Sequence, residues 1–198
     1  MEYLVTMTTH VPEGTTAEAV DDMRTREGAR AKELASAGQL LRLWRPPLAP
    51  GQWRTFGLFS AQDDAALEST LASMPLRVWR TDEVTALLPH PNDPASNRKP
   101  SHQTEFLIDM AVTVPDGTPA AVVESTERGE AERAAKLAEQ DHIHRIWGLP
   151  GSRILAVWSA ADDAELHDLL DSLPLRPWMA IETTALSVHP SDPAVSRA

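Results

Sequence analysis

The two halves of this chain are copies of one another, and that internal repeat restricts the fold more than any other feature of its 198 residues. Glu2-Tyr3-Leu4-Val5-Thr6-Met7 corresponds to Glu105-Phe106-Leu107-Ile108-Asp109-Met110, and Val11-Pro12-Glu13-Gly14-Thr15 to Val114-Pro115-Asp116-Gly117-Thr118. Arg42-Leu43-Trp44 returns as Arg145-Ile146-Trp147. After a four-residue deletion in the second copy, Met74-Pro75-Leu76-Arg77-Val78-Trp79 matches Leu173-Pro174-Leu175-Arg176-Pro177-Trp178, and His90-Pro91 matches His189-Pro190. Matches in this order imply duplication, so both copies must support the same elements. The chain divides into repeat 1 (residues 1–92), a polar, proline-rich linker (93–104) and repeat 2 (105–198).

Each copy reads as strand, helix, strand, strand, helix, strand. Residues 2–9 alternate, with Tyr3, Val5 and Met7 on one face and Leu4, Thr6 and Thr8 on the other. Residues 17–37 carry a helical period. Residues 39–45 and 53–59 are rich in Leu, Trp and Phe around a Pro-Gly breaker, which predicts two strands and a loop. Ser60 to Asp63 and Ser159 to Asp162 read as capped helix starts, followed by stripes at Leu67, Thr70, Leu71 and Met74 and at Leu166, Leu169, Leu170 and Leu173. Last strands are expected over 82–90 and 181–189. This is the order of a ferredoxin-like α+β fold, which leaves one face of its antiparallel sheet bare. Two tandem βαββαβ repeats are therefore expected to pack sheet to sheet as a pseudo-dimeric α+β barrel.

Composition removes several kinds of function. The chain has no cysteine, which excludes disulfides, thiolate nucleophiles and cysteine-held metals. A net charge of −11 without a basic stripe argues against nucleic acid, and no apolar run is long enough to span a bilayer. The opening residues lack the pattern of a signal peptide, so cytoplasmic residence is expected. The expected partner is a small molecule, with homo-oligomerisation compatible with the sequence.

Within the first helix Val20, Met23, Ala31 and Leu34 share an inward stripe with Glu27 at its centre; Val123, Thr126, Ala134 and Leu137 do the same around Glu130. A carboxylate on a core-facing stripe either pairs with a nearby arginine or, desolvated, serves as a proton carrier. Arg42 and Arg145 stand beside Trp44 and Trp147, placed either to hold a substrate carboxylate or to neutralise the glutamates. Trp79 and Trp178 are candidate pocket walls, among six tryptophans in all. His90 and His189 sit at strand ends, as strand terminators or pocket groups. His142 and His144 are two apart but lack a third ligand, so no metal site is expected.

The ordered set formed by the strand ending in Met7, the Glu27 helix, Leu43-Trp44-Arg45, Leu173 to Glu182 and the His-Pro pairs resembles muconolactone delta-isomerase, over nearly all of both copies. The resemblance implies small ferredoxin-like subunits that oligomerise, need no cofactor and shift a double bond in an unsaturated lactone by a 1,3 proton transfer. It matches Glu27 and Glu130 to the family's helix carboxylate and Arg45 to the arginine after its tryptophan. The chain departs from the family where Thr6 and Asp109 replace a strand cation and Gly148 stands opposite Arg45. Those losses point to a more neutral substrate and make Asp109 a candidate new acid or base.

The expectation is a cofactor-independent isomerase or cyclase acting on an unsaturated lactone, enone or polyketide-like molecule. Glu27, Glu130 and Asp109 are its candidate catalytic groups. Arg42, Trp44, Arg45, Arg145, Trp147, Trp79, Trp178, His90 and His189 are its candidate substrate contacts. Rival readings are a pericyclase-type shape catalyst in natural-product biosynthesis and a non-catalytic ligand-binding or assembly module.

Overall fold

Alternation in the first eight residues becomes strand β1, Glu2–Thr9, in which Tyr3, Val5 and Met7 are buried against the helices. The computed structural model describes residues 1–95 and 104–195. The remaining elements of the first repeat are α1 (Ala17–Ser36), β2 (Leu40–Arg45), β3 (Arg54–Ser60), α2 (Asp64–Ala72) and β4 (Arg80–Pro89). The second repeat supplies β5 (Thr104–Val112), α3 (Ala120–Glu139), β6 (Ile143–Leu149), β7 (Arg153–Ala160), α4 (Asp163–Asp171) and β8 (Met179–Val188). The class is the expected α+β, with two βαββαβ repeats and antiparallel pairing throughout.

Side-chain caps set the helix starts. Thr16 accepts from the Ala19 amide, Asp63 from Ala66 and Asp162 from Glu165, each satisfying an otherwise unpaired first-turn N–H. In α3 Pro119 takes the cap position without such a bond. One element was not expected: between α2 and β4 the chain forms a 3-10 turn over Pro75–Trp79, and Arg176–Trp178 repeats it before β8. Proline at the start of each turn presets its backbone and lacks the N–H that would go unpaired there.

The chain forms two compact units whose boundaries differ from those of the repeats. The first is Met1–Leu87 with Ser187–Ala198, and the second is Leu88–Leu186. In the first, β1 lies between β4 and β3, β3 pairs with β2, and Ser187 and Val188 add to the free edge of β2. In the second, β5 lies between β8 and β7, β7 pairs with β6, and Leu88 and Pro89 extend the edge of β6. Each unit thus includes the tail of the other repeat. Of the expected linker 93–104, residues 96–103 lie outside the described residues. Its ends belong to the folded units, Asp93 in an ion pair with Arg145 and Thr104 as the first residue of β5.

Each unit has its own core. Leu34, Leu40, Phe59, Leu67 and Leu71 pack with Tyr3 and Val5 in the first, and Leu137, Ile143, Trp158, Leu166 and Leu170 with Phe106 and Ile108 in the second. Leu34 and Leu137 are both 0% exposed, so truncation of either to alanine is expected to cost about 2–5 kcal/mol.

Candidate active site

The helical stripe read from the sequence is present, and both glutamates project from it toward the sheet side of their helices. On α1, Ala31 and Leu34 are buried and Val20, Met23 and Glu27 half-buried; on α3, Ala134 and Leu137 are buried with Val123, Thr126 and Glu130 half-buried. The 3-10 turns meet them. The Leu76 amide donates to Glu27 Oε2 at 2.8 Å, and the Leu175 amide donates to Glu130 Oε2 at 3.0 Å.

Beyond that shared bond the two sites differ. Arg80 Nη1 donates to Glu27 Oε1 at 3.1 Å, and the same guanidinium pairs with Asp82 at 2.6 Å. Arg77 reaches the other oxygen of Asp82 at 2.8 Å. Arg80 and Asp82 side chains are each 2% exposed, so this is a buried ionic chain ending at Glu27. In the second copy the equivalent residues are Met179 and Ile181, and the chain is absent. Burial raises the carboxyl pKa of Glu27, with the Leu76 amide and the Arg80 charge pulling it back and Asp82 pushing it further up. Burial likewise raises that of Glu130, opposed only by the Leu175 amide.

Glu27 lies on a cavity of about 530 Å³ between α1 and the helix-bearing sheet face, where Met7 and Thr55 form a cross-strand pair. Arg24, Arg45, Arg54, Arg80, Trp53 and His189 also line it. Arg24 stacks on Trp53, 4.6 Å from the ring centroid. His189 belongs to the tail after β8. Its Nδ1 accepts from the Ser191 amide at 3.1 Å, and burial, then the Arg45 charge, pushes its pKa down to about 4. The imidazole is therefore neutral at pH 7, with its proton on Nε2, ready to donate.

A cavity of about 370 Å³ occupies the corresponding place in the second unit, with Glu130, Met110, Trp158 and His90 on its walls. His90 Nδ1 accepts from the Asn92 amide at 3.2 Å, and burial lowers its pKa as well. Both His-Pro pairs thus contribute to cavities as well as ending strands.

Several expected contacts lie elsewhere. Asp109 shares the sheet face of Leu107, opposite the face of cavity-lining Met110, and pairs with Arg153. Thr6 lies opposite Met7 in the same way, so the missing strand cation falls outside the lining. Arg42 is held by Asp192 at 3.1 Å and stacks on Trp44 at 4.7 Å; Arg145 is held by Asp93 at 3.2 Å and stacks on Trp147 at 4.6 Å. These four residues tie down the tails that carry His189 and His90 and line neither cavity. Trp79 and Trp178 also lie outside the linings; their carbonyls accept from the His10 and Thr113 amides. Of the proposed arginines only Arg45 reaches a cavity.

Arg80, Arg24 and Arg54 were missed as candidates, whereas Trp53 and Trp158, two of the six tryptophans, do line the cavities. The contrast of Arg80 and Asp82 with Met179 and Ile181, readable by aligning the repeats, was the available signal for the first. His142 Nδ1 is 3.0 Å from the Ser159 carbonyl, and His144 lies 3.9 Å from Asp141. Among the described residues no group of three or more His, Asp or Glu could hold a metal ion, and no helix is long and apolar enough to cross a membrane.

The family model described as muconolactone delta-isomerase matches residues 1–93 and again 104–192. Muconolactone Delta-isomerase 1 of Acinetobacter lwoffii is 33% identical over 87 residues, covering 43% of this chain and 91% of that protein. The muconolactone delta-isomerase of Cupriavidus pinatubonensis is 31% identical, over 43% of this chain and 95% of its own length. A crystal structure of a chlorite dismutase variant from Candidatus Nitrospira defluvii superposes with a TM-score of 0.58 over 99% of this chain and 94% of its own, at 11% identity, a likeness of fold alone. Matched by one family model in both of its repeats, the chain belongs to the muconolactone delta-isomerase family.

Proposed function

We propose that the first unit is a cofactor-independent isomerase that moves a proton across an unsaturated lactone carrying a carboxylate. The carrying observation is Glu27, a carboxyl group with a pKa raised by burial, set in one cavity with four arginines and a neutral histidine donor. The relatives' muconolactone has the matching chemistry.

In this reading the Glu27 carboxylate removes a proton from carbon conjugated with the lactone carbonyl. The C–H electron pair moves into the conjugated system, and negative charge collects on the carbonyl oxygen as a dienolate. The Nε2–H of His189 and the positive field of the arginines oppose that charge. Glu27 then returns the proton two carbons away, the electron pair shifts back, and the double bond has moved with no net change in oxidation or atoms. A raised pKa suits both halves of the cycle, because the same group must accept and release the proton near neutral pH. Arg45 and Arg54 supply positive charge for the substrate carboxylate, while Arg80 remains occupied by Glu27 and Asp82.

The test is conversion of muconolactone followed by proton NMR in deuterated water. Glu27→Gln should lower kcat by about 100- to 10,000-fold, with far less effect on substrate binding. Full turnover by that variant would overturn the assignment of Glu27 as proton carrier.

A further inference from the structure

The second cavity retains a glutamate and a histidine but reverses the charge around them. Its counterparts of Arg24, Arg45 and Arg80 are Glu127, Gly148 and Met179, and Glu127 and Met179 line it. Arg153, the counterpart of Arg54, pairs with Asp109 on the other sheet face and stands outside the lining. Among the described residues no arginine or lysine lines this cavity; two glutamates do. A carboxylate that suits the first cavity would meet repulsion here without a compensating cation.

Apart from His90 and Asn92 the rest of the wall is apolar or aromatic, including Met110, Ile146, Ile154 and Met179. Two polar features favour an acceptor. The His90 ring carries its proton on Nε2, because Nδ1 accepts from Asn92. Trp158 is 2% exposed and lines the cavity, and its indole N–H has no hydrogen-bond partner among the described residues. In the first repeat that position is Phe59, which has no donor to satisfy. A buried donor without a partner is costly, and a carbonyl is its natural complement.

We infer that the second unit holds a separate ligand site for an uncharged, largely apolar molecule bearing a carbonyl, and that this site excludes carboxylates. At about 370 Å³ the cavity falls within the range of small-molecule sites. The two repeats then serve different ligands. This assignment stands apart from the proton-transfer reading of Glu27, since every variant below lies in the second unit, and binding that those variants leave unchanged belongs to the first.

The experiment is calorimetric titration of the full chain with coumarin, an uncharged aromatic lactone. Coumarin-3-carboxylate and tryptamine serve as competitors for the coumarin site. Coumarin should bind, and both charged competitors should displace it at least about tenfold more weakly. Ala134→Phe, which fills the cavity, should abolish binding, and Trp158→Phe should weaken it about threefold or more. Glu127→Arg with Met179→Arg, copying the first repeat, should bring the carboxylate to parity or better. If the filled variant fails to fold, this charge swap still decides. The proposal is overturned if coumarin gives no binding up to its solubility limit, if either charged competitor displaces it as readily as coumarin itself, or if the charge swap leaves the preference unchanged.

Discussion

Glu27 and Glu130 occupy equivalent positions on equivalent helices and accept equivalent amide bonds from Leu76 and Leu175, yet among the described residues only Glu27 has an arginine on its other oxygen. The difference shows how a duplicated scaffold diverges. Backbone bonds fixed by the fold are kept in both copies, whereas side chains that set charge have changed independently. The largest expected effect tests that division directly. Glu27→Gln should reduce isomerisation of an anionic lactone by about 100- to 10,000-fold, and Glu130→Gln should reduce it by a much smaller factor. Equal losses in parallel turnover assays would make the units functionally alike and break the comparison.

The ionic chain of the first unit is the next point of contrast. Arg80→Met copies the second repeat at one position, leaving Asp82 buried with Arg77 as its partner. Removing one partner of a buried pair is expected to destabilise by about 3–5 kcal/mol, visible in denaturant unfolding. Adding Asp82→Ile, which copies Ile181, removes the stranded charge and should recover more than half of that loss. If the double variant were no more stable than the single, the chain would be needed for more than mutual neutralisation.

Further down in size is the anchoring of the tails. Asp192 has a side chain that is 0% exposed, receives Arg42 and accepts from the Leu43 amide; Asp93, 15% exposed, receives Arg145 and the Ile146 amide. Asp192→Ala should cost about 3 kcal/mol and Asp93→Ala about 1–2 kcal/mol, because the more exposed partner is better replaced by water. Loss of the first anchor should also raise KM for the lactone, since His189 lies three residues before it. Unfolding and steady-state assays on the two variants would show whether the tails are held unequally.

These contrasts also mark what was readable from sequence. Alternation at Tyr3, Val5 and Met7 and the helical stripes around Glu27 and Glu130 were legible because period alone assigns faces. The caps at Asp63 and Asp162 were legible for a similar local reason. Arg42 and Arg145 were not, because their partners Asp192 and Asp93 lie 150 and 52 residues away in sequence, and no local pattern reports such a pairing. Arg80 escaped for another reason: it follows a 3-10 turn that carries no period of its own, so no local pattern aims it at Glu27 and only the contrast with Met179 in the other repeat marks it out. Asp109 was singled out for its chemistry and not for its place in the strand. Its alternation with Met110 already put it on the other face of the strand.

The smallest expected effect separates the two histidines by pH. The His189 pKa falls from 6.5 to about 4, and that of His90 is lowered in the same direction. As pH drops below 6.5 the unfolded chain takes up protons that the native histidines refuse. Their contribution is therefore present above 6.5 and is lost as pH falls toward about 4. Glu27 and Glu130 act in the opposite sense: with raised native pKa values, their contribution is present at acid pH and is lost as pH rises through those values. Allowing for solvent screening of a partly exposed ring, His189→Asn should flatten the acid limb of the stability curve by about 1 kcal/mol, and His90→Asn by less. Turnover should follow a different group. Because His189 is already neutral, kcat/KM should rise with pH along the raised carboxyl pKa of Glu27. A rate profile that instead followed an ordinary histidine, and vanished in His189→Asn, would transfer the proton-carrying role from the helix to the tail.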